Sequence, residues 1–176
     1  MDRKLYLKMN VFYADWEDKQ FGSIDSGIFN SEEDSEMYGF ELESSYKITD
    51  EITIWANCGY IETELGDTGE EFTETPDFTS SLGASYLGQN GIYGSVNWSH
   101  QANTKSALVA GETVPSLNLV SGRVGYKFDQ FDVYLYGKNL LDEDVIYDYS
   151  DRDNGTDLDY NIGQPRTYGV GMTYRW

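Results

Sequence analysis

The sequence has little of several things that folded chains commonly use. It holds one cysteine, Cys58, and one histidine, His100, in 176 residues. An internal disulfide is therefore impossible and a multi-histidine metal site is excluded. Twelve basic residues face 31 acidic ones, for a formal charge of −19. A phosphate-binding surface needs a basic footprint, so nucleic acid is not an expected partner. No apolar run approaches the roughly 18 residues of a membrane-crossing helix. No segment carries a convincing 3.6-residue apolar stripe. No basic-then-apolar leader with a cleavage site opens the chain. No Gly-x-Ser-x-Gly elbow accompanies His100, and no Gly-rich phosphate loop follows a strand. No catalytic residue and no cofactor are expected.

What is abundant is tyrosine, at 15 residues, and glycine, at 18, against three prolines. That balance favours strands and turns over helices. Period-two alternation bounded by turn residues occurs in eight segments: 3–15, 35–47, 51–63, 77–88, 91–101, 116–128, 131–141 and 165–176. Each is longer than the usual strand of about five or six residues and long enough for a tilted membrane strand of about 9–11. The connections alternate strictly. Those after the second, fourth and sixth segments are tight: Ile48-Thr49-Asp50, Gly88-Gln89-Asn90 and Phe128-Asp129-Gln130. The other four are long and hold most of the acid, since stretches 15–36, 62–77, 100–116 and 141–163 together carry 24 of the 31 acidic residues. Short turns at one end and long loops at the other are the pattern of an outer-membrane barrel. No linker or internal boundary divides the chain, so 1–176 is read as one barrel domain or barrel segment. The expected fold is all-β, an antiparallel up-and-down transmembrane β-barrel of eight strands.

Each segment has an apolar and a polar face. In the last, Tyr168, Val170, Met172, Tyr174 and Trp176 oppose Thr167, Gly169, Gly171, Thr173 and Arg175. Periodicity alone does not say which face points outward: a soluble barrel turns the apolar face in, a membrane barrel turns it to lipid. The polar face favours lipid outside. It is crowded with Gly and Ser rather than with the Lys and Glu of a solvated surface. It carries Glu41, Glu43 and Asp132 together with Lys8, Arg123, Lys138 and Arg175, charges expected to pair inside a narrow barrel. Aromatics such as Tyr13, Tyr46, Tyr60, Tyr86, Phe128 and Trp176 end the apolar rows, as interfacial girdles do. Cys58 lies on the apolar face as an inert hydrophobe.

Three motifs then look familiar. Gly137-Lys138-Asn139-Leu140-Leu141-Asp142 is followed by Gly163-Gln164-Pro165-Arg166-Thr167-Tyr168-Gly169, and the chain ends on an alternating strand closed by Trp176. In this order they resemble the C-terminal part of the TonB-dependent outer-membrane receptors, with Leu141 where Phe is usual and Trp176 where the family usually ends in Phe. Val11-Phe12-Tyr13-Ala14-Asp15 and Tyr38-Gly39-Phe40-Glu41-Leu42-Glu43 extend the likeness more loosely. The resemblance implies a Gram-negative outer-membrane location, with long loops extracellular and termini periplasmic. It implies the lipid bilayer and the barrel assembly machinery as partners, the machinery reading Tyr168, Val170, Met172, Tyr174 and Trp176. It implies import of siderophores, vitamins or glycans by a complete receptor, whose plug domain sits in a 22-stranded barrel. This sequence shows eight strands, no plug and no TonB-box segment, and Met1 lies close to the first strand. It reads as a truncated C-terminal third, transport-incompetent without the plug, with TonB reached only through that absent domain. An autonomous eight-stranded barrel with a structural or adhesive role stays open, and so does a closed barrel against an open segment.

Ligand contacts are expected from the long loops, with Trp16 in the first and Tyr147, Asp148 and Tyr149 in the last, where aromatics offer stacking area and acids offer acceptors. The stretch from Asp151 through Asp153 to Asp157 resembles a calcium loop, but Gly155 falls one place early for the EF-hand pattern. A solvated turn is the better reading, and Asp151, Asp153 and Asp157 are kept as a weak Ca²⁺ candidate.

Overall fold

Strands that alternate apolar and polar side chains bury nothing by themselves; they must pair edge to edge to satisfy their backbone groups. In the computed structural model, which describes residues 4–23, 27–30, 32–66, 68–151 and 158–176, all regular structure is β. The strands are β1 (Leu5–Trp16), β2 (Gln20–Ser23), β3 (Gly27–Asn30), β4 (Ser35–Lys47), β5 (Ile52–Glu64), β6 (Phe78–Leu87) and β7 (Ile92–Gln101). They continue with β8 (Thr104–Lys105), β9 (Thr113–Val114), β10 (Leu117–Phe128), β11 (Phe131–Lys138), β12 (Ile146–Asp151), β13 (Leu158–Ile162) and β14 (Thr167–Tyr174). Eight of them form one sheet in the order β1-β4-β5-β6-β7-β10-β11-β14. Every neighbour pair is antiparallel, so the sheet is an up-and-down meander.

The eight long strands coincide with the eight expected segments to within a few residues, except that β11 stops at Lys138. Asn139 and Asp142 take left-handed backbone conformations (φ 49° and 60°), which ends the strand early. The six short strands in the long connections were not anticipated. They form hairpins β2-β3, β8-β9 and β12-β13 that prolong three of the four long connections. Their length of two to six residues is too short to display alternation.

The tight turns close by local chemistry. Thr49 Oγ1 accepts from the Glu51 and Ile52 amides, and Lys47 sits 3.0 Å from Asp50. That ammonium, through its hydrogen bond and its charge, holds the Asp50 carboxyl below the usual range. At the next turn Asn90 Oδ1 accepts from the Ile92 amide, and Gly91 takes φ +88°, which a side chain would strain.

Register carries the apolar row across the sheet without a slip. Val11 faces Phe40, Phe40 faces Tyr60 and Tyr60 faces Phe78; further on, Val124 faces Leu135 and Leu135 faces Val170. This row is exposed: Met9 is 68% accessible, Val11 69% and Val170 70%. Only Phe72, Tyr93, Val114 and Val145 are buried hydrophobics among the described residues, and three of those four lie in the connections or the short hairpins. A soluble barrel would have buried the row. A continuous apolar face of this extent needs an apolar medium or partner. Aromatics cluster where the row meets the short turns, with Tyr126, Phe128 and Phe131 stacked in sequence and Tyr174 tilted against Phe131, at 5.0–5.7 Å between ring centres.

The sheet does not close. β1 pairs only with β4 and β14 only with β11. The expectation that opposite charges pair across a narrow lumen is therefore only partly met. Lys8 lies 3.6 Å from Glu43 on the neighbouring strand. Arg123, Lys138 and Arg175 form no ion pair among the described residues. Four to six inter-strand steps separate β4 from these residues, roughly 19–29 Å along the sheet, too far for Glu41 or Glu43 to reach them, and Asp132 accepts from the Tyr93 hydroxyl instead.

Candidate functional site

The polar face is built from small residues and interlocked rings. Trp55 stands opposite Gly83, Tyr93 opposite Gly125, Tyr136 opposite Gly169 and Tyr134 opposite Gly171. In each pair the ring occupies the space that a Cβ on the glycine would need. Arg123 lies with its guanidinium 5.3 Å from the Tyr93 ring centre and 5.0 Å from that of Tyr134, a cation–π arrangement. The Tyr93 hydroxyl donates to Asp132 Oδ1 at 2.5 Å. Trp55, Arg123, Tyr134 and Tyr136 border a groove of about 740 Å³ that Ser95, Asn97 and Ser121 also line. A second hollow of about 430 Å³ lies over Glu41, Glu43, Asn57 and Ser81. The face thus carries Glu41 and Glu43 on β4, no charge on β6 and β7, and Arg123, Lys127 and Lys138 together with Asp132 on β10 and β11.

At the long-connection end, the four connections are laced together. Trp16 at the end of β1 packs against Phe72 of the β5–β6 connection, ring centres 6.2 Å apart. Lys19 lies over both rings. The same β5–β6 connection reaches β8, where Glu71 lies 3.7 Å from Lys105 Nζ and the Glu74 amide donates to the Lys105 carbonyl. The β8-β9 hairpin in turn meets β12. Ser106 Oγ donates to Asp148 Oδ1 at 2.5 Å, and the Tyr149 hydroxyl donates to the Thr113 carbonyl.

The residues singled out from sequence fall into this rim in different ways. Trp16 is about half exposed, between Lys19 and Phe72. Tyr147 is exposed. Asp148 is 4% accessible, and its Oδ1 also accepts from the Tyr149 amide, while Oδ2 has no partner. Tyr149 lies edge-on to Tyr160. The structure brings Asp148 and Tyr149 together in the clasp and leaves Trp16 at the other end of the lacing. Asp153 and Asp157 lie outside the described residues, as does the Asp151 side chain, and no cluster of three or more metal-ligating side chains occurs among the described ones. His100 is packed against Trp98 and Phe78, with Nδ1 3.1 Å from Asn118 Oδ1, a structural environment.

Two sequence motifs prove to be one structural unit. Asn139 is buried; its Nδ2 donates to the carbonyls of Glu143 and Gln164, and its Oδ1 accepts from the Glu143 amide. Asp142 accepts from the Arg166 amide and lies 3.0 Å from its guanidinium. The Asn and Asp of the first motif thus hold the Gln and Arg of the second, which fixes where β14 enters the sheet. Phe72, Lys19 and Ser106 were missed because their partners are distant in sequence and their own neighbourhoods show no pattern.

The fold is shared with parts of solved structures. The ferric yersiniabactin uptake receptor FyuA from Yersinia pestis matches over 99% of this chain and 28% of its own, with TM-score 0.84 and 14% identity. The ferric citrate transporter FecA matches over 98% and 29%, with TM-score 0.78 and 22% identity. The ferric-catecholate import receptor Fiu from K12 E. coli matches over 98% and 25%, with TM-score 0.76 and 16% identity. The chain spans about a quarter of the length of each. A family model, TonB dependent receptor-like, beta-barrel, matches residues 1–140. The Gly163–Gly169 motif and the terminal strand lie beyond those residues but within the structural likeness. Barrels of this family are Gram-negative outer-membrane proteins, and this chain belongs to the TonB-dependent receptor β-barrel family.

Proposed function

We propose that the chain forms the last eight strands of a TonB-dependent receptor barrel that imports a scarce nutrient across the outer membrane. In this reading the long connections face the medium and the short turns face the periplasm. The exposed row contacts lipid, and the polar face lines the lumen. The strand Tyr168, Val170, Met172, Tyr174 and Trp176 serves as the signal for the barrel assembly machinery. Trp16, Tyr147, Asp148 and Tyr149 belong to the rim that meets the ligand. Coupling to TonB runs through a plug domain, so the eight strands by themselves transport nothing. A siderophore or other metal chelate is the favoured substrate class, by analogy with the import receptors that share the fold.

One observation carries the reading: an eight-stranded meander with an apolar exposed face and two unpaired edge strands, superposable on a quarter of complete receptors. An open edge in hydrocarbon leaves backbone groups unsatisfied at several kcal/mol each. The segment therefore needs further strands to close.

The test refolds the 176-residue chain in detergent micelles and compares heated with unheated samples by gel mobility and circular dichroism. The expected result is β structure in detergent without the heat-dependent shift of a closed barrel. A full shift would mean that eight strands close alone and would favour an autonomous small barrel with a structural or adhesive role. A folded monomer in detergent-free buffer would overturn the membrane assignment.

A further inference from the structure

The turn that follows β11 and the segment that leads into β14 face each other across a hollow of about 460 Å³. Asp142, Glu143 and Asp144 line it on the turn side, and Tyr160, Ile162 and Pro165 on the other. The two walls are tied together. Buried Asn139 donates to the carbonyls of both Glu143 and Gln164, the Gly163 amide donates to the Val145 carbonyl at 2.8 Å, and Asp142 holds Arg166. The hollow is thus held open by the fold itself. Asp142 is matched by Arg166, but Glu143 and Asp144 form no ion pair among the described residues. On the opposite wall Ile162 is 75% accessible, the most exposed large hydrophobic among the described residues apart from the terminal Trp176, and Tyr160 is exposed as well. Both belong to the β12-β13 hairpin and lie outside the apolar row of the eight-stranded sheet. The carboxylates beside them keep hydrocarbon away, because a charge taken out of water costs far more than the apolar contact returns.

We propose that this hollow binds a small organic ammonium ion with an apolar body, an aryl- or alkylammonium, from the medium. The body lies on Tyr160, Ile162 and Pro165, and the ammonium meets Glu143 and Asp144. Size and lining suit such a ligand: small-molecule sites run from about 300 to 1,000 Å³ and are mostly apolar, with a few polar groups that fix orientation. Neither half of the ligand suffices alone. A bare inorganic cation gains nothing from the apolar wall, and a neutral hydrocarbon desolvates the two carboxylates without pairing them. An anion is repelled by the turn and by the acids of the other connections. Because the two walls are already tied together, binding orders little of the chain. The inference goes beyond the receptor reading and needs from it only that the rim face the medium. Its test reads binding rather than import, so the two can fail separately.

The full receptor chain, purified in detergent, is titrated with para-fluorobenzylammonium chloride at constant ionic strength, and binding is read from fluorine line broadening of the probe. Para-fluorobenzyl alcohol supplies the body without the charge, and para-fluorobenzoate the body with the opposite charge. The expected result is saturable broadening with the ammonium and none with the other two. Glu143→Gln combined with Asp144→Asn keeps the shape and removes both charges. It should weaken binding about 2- to 25-fold, since one exposed charge pair is worth a factor of about 1.4 to 5. Ile162→Ser removes part of the apolar wall and should weaken binding roughly 3- to 10-fold. Glu70→Gln combined with Glu74→Gln removes the same charge from exposed positions of the β5–β6 connection and should leave binding within about twofold of wild type. An unchanged heat-dependent gel shift of the full receptor shows that the variants remain folded. No saturable broadening with the ammonium, equal binding of ammonium and alcohol, or equal weakening by the two double variants overturns the proposal.

Discussion

Glycine and aromatic residues meet across strands on the polar face, and the pairing explains both compositional excesses at once. A glycine in a strand gives up side-chain packing and costs entropy; a ring from the neighbouring strand laid over its backbone restores contact and excludes water. Tyr134 over Gly171 is the clearest case, since the ring atoms of Tyr134 take the position a Cβ would hold. Gly171→Val should therefore cost about 1–3 kcal/mol, the range for overpacking a filled site. Thr173→Val, on the same strand and face but exposed, should stay within about 0.5 kcal/mol of wild type. Urea midpoints of the full receptor in micelles decide it. Equal midpoints for the two variants would show that the ring does not pack on Gly171. The glycine excess was legible in the sequence, and so was its place on the polar face. The partner of each glycine was not, because it depends on register between strands.

Strands and hairpins divide the chain into a part that announces itself and a part that does not. Alternation over 11–13 residues is a local property, and register follows from it once short turns fix each pair, so the eight-stranded meander could be read directly. The short hairpins could not, since β8 and β9 have two residues each and gain their place from contacts 34 to 42 residues away. Asp148 was legible as an acidic loop residue among others. Its burial, and its clasp with Ser106 across 42 positions, belong to the folded rim. Ser106 Oγ also accepts from the Leu108 and Val109 amides, so it organises its own turn while holding the next hairpin. Removing that hydroxyl leaves a buried carboxylate with the Tyr149 amide as its remaining donor. Ser106→Ala should lower the local stability of the two hairpins by about 1–3 kcal/mol. Asp148→Asn removes the buried charge and keeps an acceptor for Ser106, so its loss should be smaller. Amide hydrogen exchange over 104–114 and 146–151 in the full receptor measures both. Unchanged protection in Ser106→Ala would mean that the clasp does not hold the hairpins together.

Charge orders the whole molecule along the strand direction. Of 31 acidic residues, 24 fall in or beside the long connections, while the basic side chains Arg123, Lys127 and Lys138 lie on the polar face of β10 and β11, and Arg175 follows β14. The rim formed by the long connections is therefore strongly negative. A field of this kind raises the encounter rate of cations and lowers that of anions, and salt flattens both effects because the screening length falls from about 30 Å at 0.01 M to about 8 Å at 0.15 M. The association rate of a short oligolysine probe with the full receptor should fall by about tenfold or more between those two salt concentrations. That of an oligoglutamate probe should rise over the same range. Converting the acids of 62–77 to their amides should flatten both dependences without altering the eight-stranded sheet, because the strands pair through their backbones and only Glu62 and Glu64 of that stretch lie in one of them. Stopped-flow fluorescence with labelled probes measures the rates. Salt dependences of the same sign for the two probes would show that the loop acids do not govern what approaches the rim.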